Sequence, residues 1–264
     1  MKIVVLVSGG MDSTILTHYT KLHNPDAEVV LLHFDYGHPF EHKERKTLPE
    51  GTIIRKFDWL NPNEPYPIPE EDPAHLPGRD FAMIAQAMIQ EDPDRIYLGL
   101  LHDEMNSYLD QSYEFYYRLN HLLRIVSPSG KRVEVEAPLE AVGLNKLKAV
   151  QWALDNGMTI EELNRSSSCM HHEDKRCGRC PVCMKRWAIF ELLGHGNIEG
   201  HDPFESVDIV KDFMYRIEGY AENPDFTMDF IAKGIMHRLG TEDRQVAYDL
   251  LTKHLYLLET GSEM

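Results

Sequence analysis

The chain has 264 residues, with 27 Lys and Arg against 43 Asp and Glu, a net charge of −16, and 42% apolar residues. That length can bury a sizeable core and the apolar fraction is that of a globular protein, while the acidity excludes the broad basic face that a nucleic-acid binder needs. No apolar run has the length of a membrane span or the form of a secretory leader, so a cytoplasmic protein is expected, with a small anionic ligand still open to a few local cations.

Residues Ile3 to Val7 are five consecutive apolar positions, mostly β-branched, and read as a strand buried on both faces. Ser8-Gly9-Gly10 breaks it, and Asp12-Ser13-Thr14 supplies helix-start chemistry for a helix to His23, stopped near Asn24-Pro25. Ala27 to Phe34 reads as a second buried strand, completing a βαβ unit with the usual right-handed crossover. Asp35-Tyr36-Gly37 then falls at the carboxyl end of strand two, where open α/β sheets bind ligands. A helix containing His42-Lys43-Glu44 and a third strand over Thr52 to Phe57 follow.

The segment from Asn61 to Pro77 holds six prolines and a run of acids, which suits a surface loop or lid and no regular element. Pro77-Gly78-Arg79-Asp80 closes it and opens a helix through Phe81, Ile84, Ala85 and Met88. Arg95 to Leu101 is the next buried strand, Tyr108 to Ile125 is helical after an irregular start, and Lys131 to Glu136 alternates as a strand nearer the sheet edge. Helices are expected over Asn145 to Asn156 and Pro181 to Leu193, and from Asp202 onward with breaks at Gly219, Pro224 and Gly240. The pattern is an α/β doubly wound parallel sheet with a zinc knuckle and a helical tail: an α/β domain over 1–165, the knuckle and its helix over 166–200, and a helical extension over 201–264. In that extension Phe213, Tyr215, Ile217 and Tyr220 have either a core or a second subunit to face.

Two groups of residues carry chemistry. A glycine turn between a buried strand and a helix start gathers backbone N–H groups at one point, which suits phosphate. Gly9 and Gly10 let the backbone approach, Met11 and Thr14 complete the turn, Ser8 and Ser13 offer hydroxyls, and Asp12 can hold Mg²⁺. The second group is Cys169, Cys177, Cys180 and Cys183, spaced C-x7-C-x2-C-x2-C and comprising every cysteine in the chain. Four thiolates at that spacing form a closed structural Zn²⁺ set. Lys175, Arg176, Arg179, Lys185 and Arg186 lie near enough in sequence to offset its charge, and His171 and His172 are read as loop residues.

The string Ser-Gly-Gly-Met-Asp-Ser over residues 8–13 resembles the pyrophosphate loop of the N-type ATP pyrophosphatases, which cleave ATP between the α- and β-phosphates. Asp35-Tyr36-Gly37, Pro77-Gly78-Arg79-Asp80, Tyr108-x-Asp110, Ala137-Pro138-Leu139 with Lys146, and Ser168-Cys169 with Cys177-Gly178-x-Cys180-x-x-Cys183 narrow that resemblance to the 7-cyano-7-deazaguanine synthases. It runs from Ile3 to about Phe190, in the family order. It departs at His38-Pro39-Phe40, where the family has Gln-Arg-His, at Asp80 for asparagine, and at Leu109, Gln111 and Ser112.

The resemblance implies ATP-dependent conversion of 7-carboxy-7-deazaguanine and ammonia to the nitrile, in a homodimer with no nucleic-acid or membrane partner. It implies pyrophosphate on Ser8, Gly9, Gly10 and Ser13, Mg²⁺ on Asp12, Lys146 and Arg79 as cations for transition-state charge, and Tyr36, Asp80, Tyr108 and Asp110 around the deazaguanine. With every thiol assigned to metal, and Lys at residue 2, no glutaminase nucleophile remains and ammonia must arrive free or from another protein. Two other readings stand beside this one: an ATP pyrophosphatase that adenylates a different acceptor, for amidation or tRNA modification, and a nucleotide-binding module that has lost its chemistry.

Overall fold

Five segments pair as parallel strands, the central ones apolar and the two at the edges, IIRK and EVE, mixed, in the computed structural model, which describes residues 1–37, 41–57, 76, 78–167, 169, 176–196, 202–219 and 226–261, with residues 226–229 as backbone only. The strands are β1 (Lys2–Leu6), β2 (Glu28–Asp35), β3 (Ile53–Lys56), β4 (Arg95–Tyr97) and β5 (Glu134–Glu136). Their order is β3-β2-β1-β4-β5, every pair parallel. The reversal of order at β1 makes its carboxyl end the topological switch point where such sheets bind ligands.

The connecting helices are α1 (Met11–His23), α2 (Glu41–Thr47), α3 (Arg79–Glu91), α4 (Tyr113–Val126), α5 (Pro138–Ala141), α6 (Lys146–Asp155) and α7 (Ile160–Arg165). On one face of the sheet Val4, Leu6, Leu32, Phe34, Ile96 and Val135 pack with Ile84 and Met88 of α3 and Leu119 and Leu123 of α4. Alternation sends Ile3 and Val5 to the other face, where α1 contributes the fully buried Ile15 and Leu16 and packs on α6. The sheet is thus covered on both sides, as a parallel sheet requires.

Boundaries differ from expectation in instructive places. β4 stops at Tyr97 instead of Leu101, because Gly99 crosses the start of α1 so closely that a Cβ there would lie 3.1 Å from the Ser13 nitrogen. The ladder gives way to a close backbone crossing. The irregular start before α4 is a 3₁₀ turn over Leu109–Gln111. α7 is announced by a capping box, Thr159 with Glu162, a signal the hydrophobic pattern alone does not pick out. The proline-rich segment lies outside the described residues except for Leu76, which is buried in the core.

The chain divides into two compact units, Met1–Ser167 and Ser168–Met264. The second contains α8 (Pro181–Leu192), α9 (Val207–Gly219), α10 (Phe226–Arg238) and α11 (Arg244–Thr260). Trp187 of α8 stacks on Phe213 of α9 with ring centroids 5.5 Å apart, and Ile231, Ile235, Ala247 and Leu251 complete that core. Phe213 and Ile217 are therefore core residues, whereas Tyr215 is 69% exposed; Tyr220 lies outside the described residues. No described helix is long and apolar enough to cross a membrane.

The α8–α10 crossing rests on Gly234, where an added Cβ would come within 2.7 Å of the Ala188 Cβ. Gly234→Ala gains intrinsic helix propensity yet forces the two helices apart, so it should lower unfolding free energy by about 1–3 kcal/mol. Denaturant unfolding of the full chain checks this, and an unchanged midpoint contradicts it.

Candidate active site and metal centre

The turn leaving β1 is held by its own small residues. Gly9 has φ +70°, and a Cβ there would lie 2.5 Å from Thr47 Oγ1 and 2.7 Å from the Glu44 carbonyl oxygen, so no side chain fits. Its carbonyl accepts from Thr47 Oγ1 at 3.0 Å and from the Ser167 N–H at 2.9 Å. The Gly10 carbonyl accepts from Ser13 Oγ at 3.0 Å, Thr14 Oγ1 at 2.9 Å and the Thr14 N–H at 3.1 Å. Ser8 donates its N–H to Ser13 Oγ at 3.2 Å, and Ser8 Oγ accepts from the Gly10 N–H at 3.3 Å. Carbonyls are thereby tied down behind the turn, and the first N–H groups of α1, at Met11, Asp12 and Ser13, have no preceding turn to bond. Met11 buries its side chain beneath them. The result is a positive helix end with a rim of small residues, suited to an anion.

Lys146, the first residue of α6, donates to Asp12 Oδ2. Burial alone would lower the pKa of its ammonium, but Asp12, with Glu104 and Asp103, outweighs burial and raises it. The cation therefore stays charged beside the phosphate turn. Asp12 Oδ1 is buried with no hydrogen-bond partner. A partnerless carboxylate oxygen close to further acids is the donor set a hard divalent cation takes, so Asp12 fits Mg²⁺. Asp103 and Glu104 follow β4, and sequence reasoning assigns them no role; acids in a surface turn look ordinary until the fold turns them toward Lys146.

A second cluster surrounds Arg79. Its guanidinium is hydrogen-bonded to Tyr36 and to Asp80, the latter at 3.4 Å, and although burial opposes its charge, Asp80 and Tyr36 raise its pKa. Asp80 is 6% exposed; burial raises its pKa, Arg79 pulls it back, and Asp110 raises it further. Asp110 Oδ2 accepts from the Gly78 N–H at 3.1 Å. Burial pushes the Tyr36 hydroxyl up to about 12, against the pull of Arg79. The Tyr36 ring belongs to the core, so its hydroxyl is what it offers the cluster. Tyr108 is half-buried, its carbonyl accepting from the Gln111 N–H at 3.0 Å.

The residues that depart from the family string have local work. Ser112 caps α4, accepting from the Phe115 N–H at 3.1 Å; Gln111 hydrogen-bonds Asp80; Leu109 is 90% exposed. Tyr116, which the sequence presents as one position in an amphipathic helix, has a buried hydroxyl with no partner and feels Asp80 and Asp110. A periodic pattern cannot distinguish such a tyrosine from core filler.

The four cysteine sulfurs, all in the second unit, lie within 4.8 Å of one another, with Cys177 and Cys183 at 4.0 Å. Cys177 Sγ accepts from the N–H groups of Arg179 at 3.4 Å and Cys180 at 3.2 Å, and Cys169 Sγ from the Cys177 N–H at 3.3 Å. Gly178, at φ +68°, turns the chain between them. Burial raises the Cys177 pKa, and its neighbour Cys180 raises that of Cys183. Thiols so crowded ionise together only around a cation, and the set fits a metal ion. Lys175, His171 and His172 lie outside the described residues, and Arg186 is buried over the Phe190 ring at 5.2 Å.

A phosphate turn at the switch point of a parallel sheet, with a lysine fixed beside it, defines an ATP pyrophosphatase-type α/β enzyme with a cysteine metal site. The family model of queuosine biosynthesis protein QueC matches residues 2–57 and 67–194, more than half of the sequence, and the chain belongs to that family. A 7-cyano-7-deazaguanine synthase from a Nitratiruptor species is 28% identical over 217 residues, covering 74% of this chain and 96% of that protein. The synthase of Campylobacter jejuni subsp. jejuni serotype O:6 is 27% identical over 219 residues, covering 73% and 95%. Among solved structures, the U34-tRNA thiolase NcsA from Methanococcus maripaludis with its 4Fe–4S cluster aligns over 98% of this chain and 73% of its own, at a TM-score of 0.39 and 15% identity.

Gly9→Ala places a side chain in a left-handed conformation, a cost of about 1–2 kcal/mol, and against two fixed oxygens. Titration with ATP should show affinity reduced at least tenfold in this variant, with the metal content of the cysteine site unchanged. Cys180→Ser, in turn, should lose the tightly held metal when the purified chain is assayed by mass spectrometry.

Proposed function

We propose that the chain is an ATP-dependent ligase that converts 7-carboxy-7-deazaguanine and ammonia to 7-cyano-7-deazaguanine. The single observation that carries this reading is the presence, in one α/β unit of a chain of the QueC family, of both the glycine turn with Lys146 and the Tyr36–Arg79–Asp80–Asp110 cluster. The substrate carboxylate attacks the α-phosphorus of ATP and pyrophosphate leaves, giving an acyl adenylate. Ammonia displaces AMP to form the amide. The amide oxygen then attacks the α-phosphorus of a second ATP and pyrophosphate leaves; loss of AMP and of both amide hydrogens as protons leaves the nitrile.

The protein's part is to hold anions together and stabilise charge at phosphorus. Ser8, Gly9, Gly10 and Ser13 receive the pyrophosphate, with Met11 and Thr14 holding the turn; Lys146 moves from Asp12 to the α-phosphate. Asp12 would hold Mg²⁺, which would neutralise phosphate charge. Arg79 faces the substrate carboxylate. A guanine-type edge presents adjacent N–H donors, which the carboxylates of Asp80 and Asp110 are suited to accept, with Tyr108 and the hydroxyls of Tyr36 and Tyr116 at the rim.

The ion held by the four cysteines is, in this reading, structural Zn²⁺. A tetrahedral site with Zn–S bonds of about 2.3 Å brings its sulfurs as close as those seen here, whereas an iron–sulfur cube holds its thiolates farther apart. All four thiols serve that ion, so ammonia comes from solution or a separate protein. The homodimer and the absence of nucleic-acid contact follow from the family resemblance and the net charge of −16, and a thiol-rich site suits the reducing cytoplasm.

Release of AMP and pyrophosphate should rise sharply when 7-carboxy-7-deazaguanine and ammonium are added, with two AMP formed per nitrile detected by mass spectrometry. Release stimulated only by another acceptor, or by none, overturns the assignment. Lys146→Ala should reduce kcat by roughly 10²–10³-fold, and glutamine should not replace ammonium.

A further inference from the structure

Three metal-ligating side chains converge on the β3 side of the phosphate turn, apart from Asp12 and from the cysteines. A ring nitrogen of His33 and one carboxylate oxygen each from Glu41 and Glu44 lie within 4.8 Å of one another. His33 sits in β2, 2% exposed, and its Nδ1 donates to the Val7 carbonyl at 2.7 Å. Nε2 is thereby aimed at Glu41 Oε2, 3.0 Å away. Anchoring one imidazole nitrogen on a backbone carbonyl is how proteins orient the other toward a metal. Glu41 is likewise braced from behind, its Oε1 accepting from Arg45 Nε at 2.7 Å while Arg45 also reaches Asp35.

Glu44 completes the set and is the member that needs a ligand. Among the described residues no hydrogen bond reaches that carboxylate. Half-buried and without a donor, that carboxylate can turn to a cation held by His33 and Glu41.

We propose that His33, Glu41 and Glu44 bind one divalent first-row transition-metal ion. One imidazole and two carboxylates suit Mn²⁺, Fe²⁺ or Zn²⁺ better than Mg²⁺, which prefers oxygen and water. The ion's place gives it a positioning role. The Glu44 carbonyl and the Gly9 carbonyl share the same donor, Thr47 Oγ1, each at 3.0 Å. Metal bound at the start of α2 would therefore brace the back of the phosphate turn without touching phosphate. The proposal is independent of which acceptor the enzyme adenylates.

Mn²⁺ is the probe, because thiolates do not compete for so hard an ion. The full chain, free of nucleotide and dialysed briefly against EDTA, is titrated with Mn²⁺ and free ion is read by electron paramagnetic resonance. One Mn²⁺ per chain is expected, bound at least tenfold more weakly by Glu44→Gln and by His33→Gln, and with unchanged affinity by Asp12→Asn. Mn²⁺ should raise the Tm of the wild type and not of Glu44→Gln, which without metal should melt no lower than the wild type because it removes one of two neighbouring carboxylates and no hydrogen bond. A wild type that binds no Mn²⁺, or binding that Asp12→Asn abolishes and Glu44→Gln spares, overturns the site.

Discussion

The ion pair between Lys146 and Asp12 is the interaction on which the proposed nucleotide site depends. It joins the first turn of α1 to the first residue of α6, elements far apart in the chain, and it sets a permanent positive charge beside a helix end that already favours anions. Burial would strip that charge from a lone lysine. The carboxylates of Asp12, Glu104 and Asp103 keep it. In exchange Asp12 retains one buried oxygen with nothing to bond, which costs stability and suits the proposed role of holding a metal–nucleotide complex.

Close backbone contact is the second constraint. Gly9 lets the turn pass against Thr47 and the Glu44 carbonyl, and Gly99 lets the segment after β4 cross the start of α1. A side chain at either place would displace the glycine turn or the first N–H groups of α1. The sheet therefore ends its β4 ladder early, and α2, a short polar helix, acquires importance through its carbonyls and through Thr47. The same requirement explains why the chemistry gathers at the carboxyl ends of β1, β2 and β4, around the switch point.

The cluster around Arg79 shows how substitutions within a family string are absorbed. Ser112 is a helix cap, Gln111 supports Asp80, and Leu109 faces solvent. None of the three changes removes the carboxylates or the guanidinium. The second unit follows a different logic: its core is aromatic and aliphatic packing of α8 with α9, α10 and α11, and its cysteines close one metal site at the start of α8.

The order of strands and helices, the phosphate turn and the cysteine set were legible in the linear chain, because each is specified by neighbours in sequence: β-branched runs, glycine beside a helix start, thiols two residues apart. Partners brought from a distance were not legible in that way. Lys146 and the Asp103 region were reached through resemblance and not through spacing, and Glu104, Tyr116, Thr47 and the His33–Glu41–Glu44 group looked like ordinary turn, core or surface residues. Local periodicity records which face of an element is buried and nothing about which polar group waits inside. That was decided by the tertiary structure, where burial removes water and makes each remaining carboxylate, hydroxyl and ammonium depend on the few groups folded beside it.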